Sequence, residues 1–249
     1  MSVDLLQYIA GGCFVAKRVP RPAYTDPELM PENIVSVSES LGGILQAYWG
    51  GAAMLYKEKM VKFGIPEDKH EEFAAWSRKN DDIGHPNTFF TLARAREFVA
   101  RFMPDATDIM LLGVALHRDL VPTFLEESKQ VVFDPVREKY IHSDHHATPR
   151  VLKIREYPHP GELLGFEILG YDAGFWSWLR SGLEKHIDRA LGIRPNQYSL
   201  INTYEEALQI HNWILEDQKS GDNAEPIPYN PWLIIRYPPL LADTPPIKP

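Results

Sequence analysis

The clearest periodicity in the chain runs from Tyr204 to about Asp217. Tyr204, Ala207, Leu208, His211, Ile214 and Leu215 recur at three- and four-residue intervals, while Glu205, Gln209, Asn212 and Glu216 fall between them. That spacing predicts a helix with one apolar face and an opposite polar stripe. Thr203 followed by Glu206 supplies a capping-box signature at its start. A second helix is expected over Thr88–Phe102, with Leu92, Ala95, Val99 and Phe102 on one side and Arg94, Glu97 and Arg101 on the other. A third is expected from Phe175 to Leu191, where Phe175, Leu179, Leu183, Ile187 and Leu191 recur at four-residue steps and Gly192 offers a left-handed stop. The fourth lies within Ser40–Phe63. Gly42, Gly43, Gly50 and Gly51 weaken its first half, so the helix is assigned to Ala52–Phe63.

Between these helices the period changes. Ile109–Leu116 is an unbroken apolar run, as a strand buried on both faces requires. Arg150–Tyr157 alternates, Leu152 and Ile154 against Lys153 and Arg155, and Leu163–Tyr171 sets Leu164, Phe166 and Ile168 to one side. These two runs flank Pro158-His159-Pro160-Gly161 and read as an antiparallel hairpin. Trp232–Tyr237, Cys13–Val19 and Ile34–Val37 are further strands. The pattern predicts an α+β fold, a mixed or mostly antiparallel sheet packed by about four helices. Residues 1–249 read as a single domain with a Pro-rich tail from about residue 238.

Composition narrows the function classes. The 249 residues are 44% hydrophobic, enough for a full core, and carry a net charge of −8. A chain this acidic lacks the basic footprint of direct nucleic-acid binding. No apolar run reaches the roughly 18 residues a membrane helix needs. The N-terminus has no basic region, and the apolar stretch from Leu5 to Ala16 is interrupted by Gln7, Gly11 and Gly12, a poor export signal. One cysteine, Cys13, permits no internal disulfide and fits a reducing compartment. A cytoplasmic protein is expected, and Cys13, beside Phe14 and Val15, reads as a small buried hydrophobe.

Candidate chemistry is sparse. His142-Ser143-Asp144-His145-His146 is the densest group of metal-ligand side chains, with His117 and Asp119 as possible additions. It supports an alternative in which His142, Asp144, His145 and His146 serve a metal-dependent hydrolase, although the group sits in a polar loop without helical spacing. His117-Arg118-Asp119 resembles a kinase catalytic loop only as a tripeptide, because position 124 is Phe rather than the required Asn. Asp172-Ala173-Gly174 reads as a strand-to-helix turn. The chain has no Gly-x-Ser-x-Gly, no Gly-x-Gly-x-x-Gly and no Walker pattern, so no cofactor is expected. Among the aromatics, Phe175, Trp176 and Trp178 cannot all face inward on one helical turn, and Trp176 is the one expected to project as a partner anchor. From Ile201 to Pro249 there are seven acidic and three basic residues, half the net charge in a fifth of the chain.

The C-terminal third carries a family likeness. Gly165-Phe166-Glu167-Ile168-Leu169-Gly170-Tyr171-Asp172, Ser177-Trp178-Leu179, Gly182-Leu183-Glu184, the Tyr204-Glu205-Glu206-Ala207 helix start, Glu225-Pro226 and Pro231-Trp232-Leu233-Ile234 together resemble bacterial immunity proteins of polymorphic-toxin and type VI secretion systems. Tyr48-Trp49-Gly50 is similar to an element of the group paired with restriction-endonuclease-like nuclease toxins. The likeness spans about the last hundred residues plus that short element. It implies a non-enzymatic cytoplasmic protein that occludes the active site of a cognate toxin. A nuclease cleft must attract phosphates and is basic, so an acidic inhibitor complements it. The candidate contacts are Glu205, Glu216, Asp217, Asp222 and Trp176. An acidic scaffolding subunit is the third class that the composition allows.

Overall fold

The computed structural model describes residues 3–45, 57–80, 82–84, 88–134, 139–143, 147–172, 174–178, 184–220 and 227–238. Residues 46–56, which include Tyr48-Trp49-Gly50, and the Pro-rich tail from 239 lie outside them. The protein is α+β. Its centre is an antiparallel sheet built from β1 (Tyr8–Lys17), β4 (Ile83–Gly84), β5 (Thr88–Phe89), β6 (Ile109–His117), β9 (Glu162–Tyr171), β10 (Phe175–Ser177) and β11 (Tyr229–Tyr237). The seven strands run in the order β10-β9-β11-β6-β1-β5-β4. Two small hairpins flank it, β2 (Val19–Pro20) with β3 (Asn33–Ile34), and β7 (Gln130–Asp134) with β8 (Lys139–Ser143).

The middle strands β6, β9 and β11 are apolar on both sides because both faces of the sheet are covered. On one face lie α1 (Lys57–Phe63), α2 (His70–Arg78), α3 (Leu92–Phe102), α6 (Glu184–Leu191) and α7 (Tyr204–Ser220). Phe73, Trp76, Phe89, Phe98 and Phe102 interlock there with ring centroids 5.2–6.2 Å apart. The second face is covered by α4 (Val121–Glu127), α5 (Ala147–Ile154) and the extended segment around Val35 and Val37. Glu167, fully buried on β9, fastens that segment: the Ser36 hydroxyl donates to Glu167 Oε1 at 2.7 Å. Among the described residues no helix is long and apolar enough to cross a membrane.

Expectation and structure agree best where periodicity is long. Strands β6, β9 and β11 and helix α7 fall where the pattern places them, and α3 does from Leu92 onward, whereas Thr88 and Phe89, expected to open that helix, form strand β5. The reciprocal cap is present: Glu206 N donates to Thr203 Oγ1 and Thr203 N donates to Glu206 Oε2, each at 3.2 Å. Gly192, at φ 66°, ends α6 in the left-handed region. Cys13 is buried, and burial pushes its thiol up to about 12.

Three expectations are corrected. Arg150–Tyr157 is not a strand: residues 147–154 form α5, so no hairpin joins it to β9. The buried positions Ala147, Thr148, Val151 and Leu152 follow helical spacing, while Ile154 is exposed, and the apparent alternation was two apolar residues separated by a lysine. Phe175 does not begin a helix. It starts the edge strand β10, and among the described residues of that segment only 184–191 are helical; residues 179–183 lie outside the described part. Asp172 and Gly174 accordingly stand between two strands, β9 and β10, rather than between a strand and a helix, and Asp172 N donates to the Gly174 carbonyl at 3.0 Å.

Two bulges shape the sheet. Pairing of β1 with β6 slips between Ala10 and Gly12, and pairing of β9 with β11 slips beside Gly165. Both glycines have positive φ, 122° and 139°. They lie in one transverse row, Gly12–Val114–Ile234–Gly165. A one-residue insertion inverts which side chains face which layer. Cys13 and Val15 face the α7 layer, and unbroken alternation would send Tyr8 to the opposite one; the bulge returns Tyr8 to the α7 side.

At Gly12 an added Cβ would stand 2.2 Å from Thr88 Cγ2, in a backbone conformation that L residues avoid. Gly12→Ala is expected to cost about 2–4 kcal/mol in urea unfolding, from the clash and the backbone strain together. An unchanged midpoint and slope would refute the rigid bulge.

Candidate functional site

The inverted phase of Tyr8 has a direct consequence. Tyr8 pairs with His117 across β1 and β6, so both rings stand on the α7 side at the end of the sheet. Their centroids are 5.3 Å apart at 88°. Tyr204, first residue of α7, lies over them: its ring stacks on His117 at 4.7 Å and 17°, and meets Tyr8 edge-on at 6.1 Å. Phe166 closes the base, 6.2 Å from Tyr8 and 5.8 Å from Tyr204. The turn after β6 is tied to the N-terminal segment by Arg118 N donating to the Gln7 carbonyl at 2.8 Å.

These elements enclose a pocket of about 430 Å³, lined by Asp4, Gln7, Tyr8, His117, Tyr204 and Glu205 among others. Its electrostatics are negative. The phenols of Tyr8 and Tyr204 are pushed above the ordinary tyrosine range, first by burial and then by neighbouring carboxylates, Glu205 for Tyr8 and Asp119 and Glu205 for Tyr204. Among the described residues no lysine or arginine lines the pocket. Asp119 reaches to 3.7 Å from His117 Nδ1 and leaves 81% of its side chain exposed.

A second concavity, about 490 Å³, opens further along α7. It lies between Leu120, Thr123 and Glu127 on one side and His211, Leu215 and Gln218 on the other, with Ile227–Asn230 behind. His211 Nδ1 is 2.6 Å from the Tyr229 carbonyl, which can only accept, so Nδ1 carries the proton and donates. Burial lowers the His211 pKa below the ordinary imidazole range, and burial raises that of Glu127. Leu215 is exposed at the rim.

The candidate contact residues do not converge on one spot. Glu205 sits at the mouth of the first pocket and is exposed. Glu216 lies eleven residues on, three helical turns and about 16 Å along α7 on the same stripe. Gln209 and Asn212 complete that stripe, and all four are exposed. Asp217 lies on the other flank, with Trp213, and is half-buried. Asp222 lies outside the described residues. Trp176 is exposed as expected, at 40%, but for a strand reason: on β10 the side chains alternate, so Phe175 points inward and Trp176 outward. Its indole donates to the Asp172 carbonyl at 3.3 Å, and it borders neither concavity.

The histidine cluster is only partly described. His142 and Ser143 belong to strand β8 rather than to a loop, pairing with Val131 and Gln130, while Asp144, His145 and His146 lie outside the described residues. Among the described residues no group of three or more His, Cys, Asp or Glu is placed to hold a metal ion. Of the functional-looking features, sequence reasoning missed Tyr8 and the pairing of His117 with Tyr204. The only signal was Tyr204 at the helix start and His117 at the end of an apolar run.

Comparison of the chain with family models, curated proteins and solved structures gave no match.

A pH prediction follows from the second concavity. His211 has a folded pKa below its unfolded one, so near pH 6.5 and below the unfolded chain takes up the proton more readily. Its contribution to stability is complete above that point and is lost as pH falls toward the lower folded value. Glu127, raised on folding, acts with the opposite sign in a more acidic window just above the ordinary glutamate range. His211→Gln is therefore expected to flatten the drop in Tm between pH 7 and 5.5. An unchanged slope would show that His211 carries no such linkage.

Proposed function

We propose that the protein is a cytoplasmic immunity protein, which binds a cognate bacterial toxin with a basic active-site cleft and blocks it without catalysing a reaction. The observation that carries this reading is the layout of α7. Its exposed stripe bears Glu205 and Glu216, and two concavities open along one flank of the same helix. Carboxylates also stand on the adjoining parts: Asp4, Asp119 and Glu127. Negative charge spread over a ridge draws in a cationic surface and speeds encounter. Concavities with apolar walls supply the desolvated anchors that hold a complex once formed, over the roughly 800 Å² per partner that a stable interface buries. Leu215 at the rim of the second concavity suits such an anchor.

The family likeness points the same way: its quoted segments include the Tyr204-Glu205-Glu206-Ala207 start of this helix and the Pro231–Ile234 strand behind it. A nuclease toxin is the partner chemistry that best fits, since phosphate-binding clefts are lined with lysine and arginine.

The test is co-expression with the product of the adjacent open reading frame, the candidate toxin. Growth should be rescued and a complex recovered by gel filtration. The double variant Glu205→Lys/Glu216→Lys should keep its Tm but weaken the complex by about tenfold or more, mainly in the association rate. Neither rescue nor complex with the wild-type protein would refute the proposal.

A further inference from the structure

We infer that the Tyr8–His117–Tyr204 pocket seats an arginine side chain of the partner, its guanidinium lying against the aromatic wall and facing the Glu205 carboxylate. The inference rests on the docking reading and gives it a specific anchor.

Three features of the pocket select this occupant. The first is shape and surface. His117 and Tyr204 stack at 17° with Tyr8 edge-on to both, so the wall offers π faces and a phenol instead of aliphatic packing alone. Planar cations stack on such rings, and guanidinium does so better than the compact, strongly hydrated ammonium of lysine. The second is charge. Beyond burial, carboxylates press on both phenols, Glu205 on Tyr8 and Asp119 and Glu205 on Tyr204, and among the described residues no lysine or arginine lines the pocket to neutralise them. An anionic ligand would meet that field unfavourably.

The third is unmet bonding capacity. Asp4 is occupied, accepting from Leu6 N at 3.0 Å and from the Gln7 amide at 3.4 Å. Among the described residues the Glu205 carboxylate accepts no hydrogen bond and joins no ion pair, although Glu206 beside it is spent on the helix cap. Glu205 therefore keeps both oxygens for the two parallel N–H donors of a guanidinium.

The probe is N-acetyl-arginine methylamide, titrated into the ¹⁵N-labelled full chain at pH 7.5, with its citrulline and lysine counterparts alongside. Citrulline keeps the shape and removes the charge. Arginine should give saturable shifts at the amides of Tyr8, His117 and Tyr204, citrulline none, and lysine binding should be weaker by about threefold or more. Tyr204→Leu and Glu205→Gln should each weaken arginine binding by about fivefold or more while the remaining spectrum stays in place. No saturable shift, shifts centred elsewhere, or equal binding of citrulline or lysine would overturn the assignment. The two proposals fail separately. A toxin that binds wild type and Tyr204→Leu equally removes the arginine anchor and leaves the docking reading. Arginine binding in the pocket without any toxin complex removes the docking reading alone.

Discussion

The arrangement at the end of the sheet depends on one backbone constraint, the bulge at Gly11–Gly12. A strand has period two, so the identity of the residue facing a given layer is fixed once the register is fixed. The bulge resets that parity over the first residues of β1 and delivers Tyr8 to the layer that α7 covers. Glycine is required there on two counts. Gly12 occupies a φ of 122°, and a Cβ at Gly11 would stand 2.7 Å from the Trp232 ring. The close fit of Trp232 against bare backbone is what lets the sheet core pack while the strand shifts phase. Without the insertion, Tyr8 would enter the opposite core and His117 would lose its cross-strand partner.

How much of this was legible depends on the length over which a pattern repeats. Helix α7 and strands β6 and β9 repeat for nine residues or more, and the sequence places them well. Helix α5 has only eight residues, and the run Leu152-Lys153-Ile154 at its end, followed by Arg155, satisfies a strand period as well as a helical one. Phe175 and Ile187 do recur at helical multiples, but they serve opposite core layers, one from an edge strand and one from α6. Periodicity sees apolar recurrence and not which layer receives it. The pocket was hidden for a related reason. Gly11 and Gly12 interrupt the apolar run, so β1 was taken to start at Cys13, and Tyr8 fell outside it. Its partner His117 lies far along the chain, and only the sheet order brings the two together. By contrast, the exposed stripe of α7 with Glu205 and Glu216 was readable because helical phase alone determines it.

The two levels combine into one physical picture. Stability comes from an antiparallel sheet buried on both faces, which leaves α7 free to present its outer surface. That helix contributes apolar residues inward at Ala207, Ile210 and Ile214, carboxylates outward at Glu205 and Glu216, and the half-buried Tyr204 and His211 to the concavities between. Tyr8, Tyr204, His211 and Glu127 carry shifted pKa values mainly because they are partly desolvated, the condition under which a complementary charge or hydrogen bond from a partner gains most. The proposed docking role uses this surface; the core alone does not need it.

The most direct measurement is hydrogen exchange of the protein with and without the partner toxin that the proposed function calls for. The account predicts slowed exchange in residues 4–8, 117–127 and 204–218, with the α2–α3 and β4–β5 end of the sheet unchanged. Protection confined to that far end, or to the β7–β8 hairpin that carries His142, would contradict it.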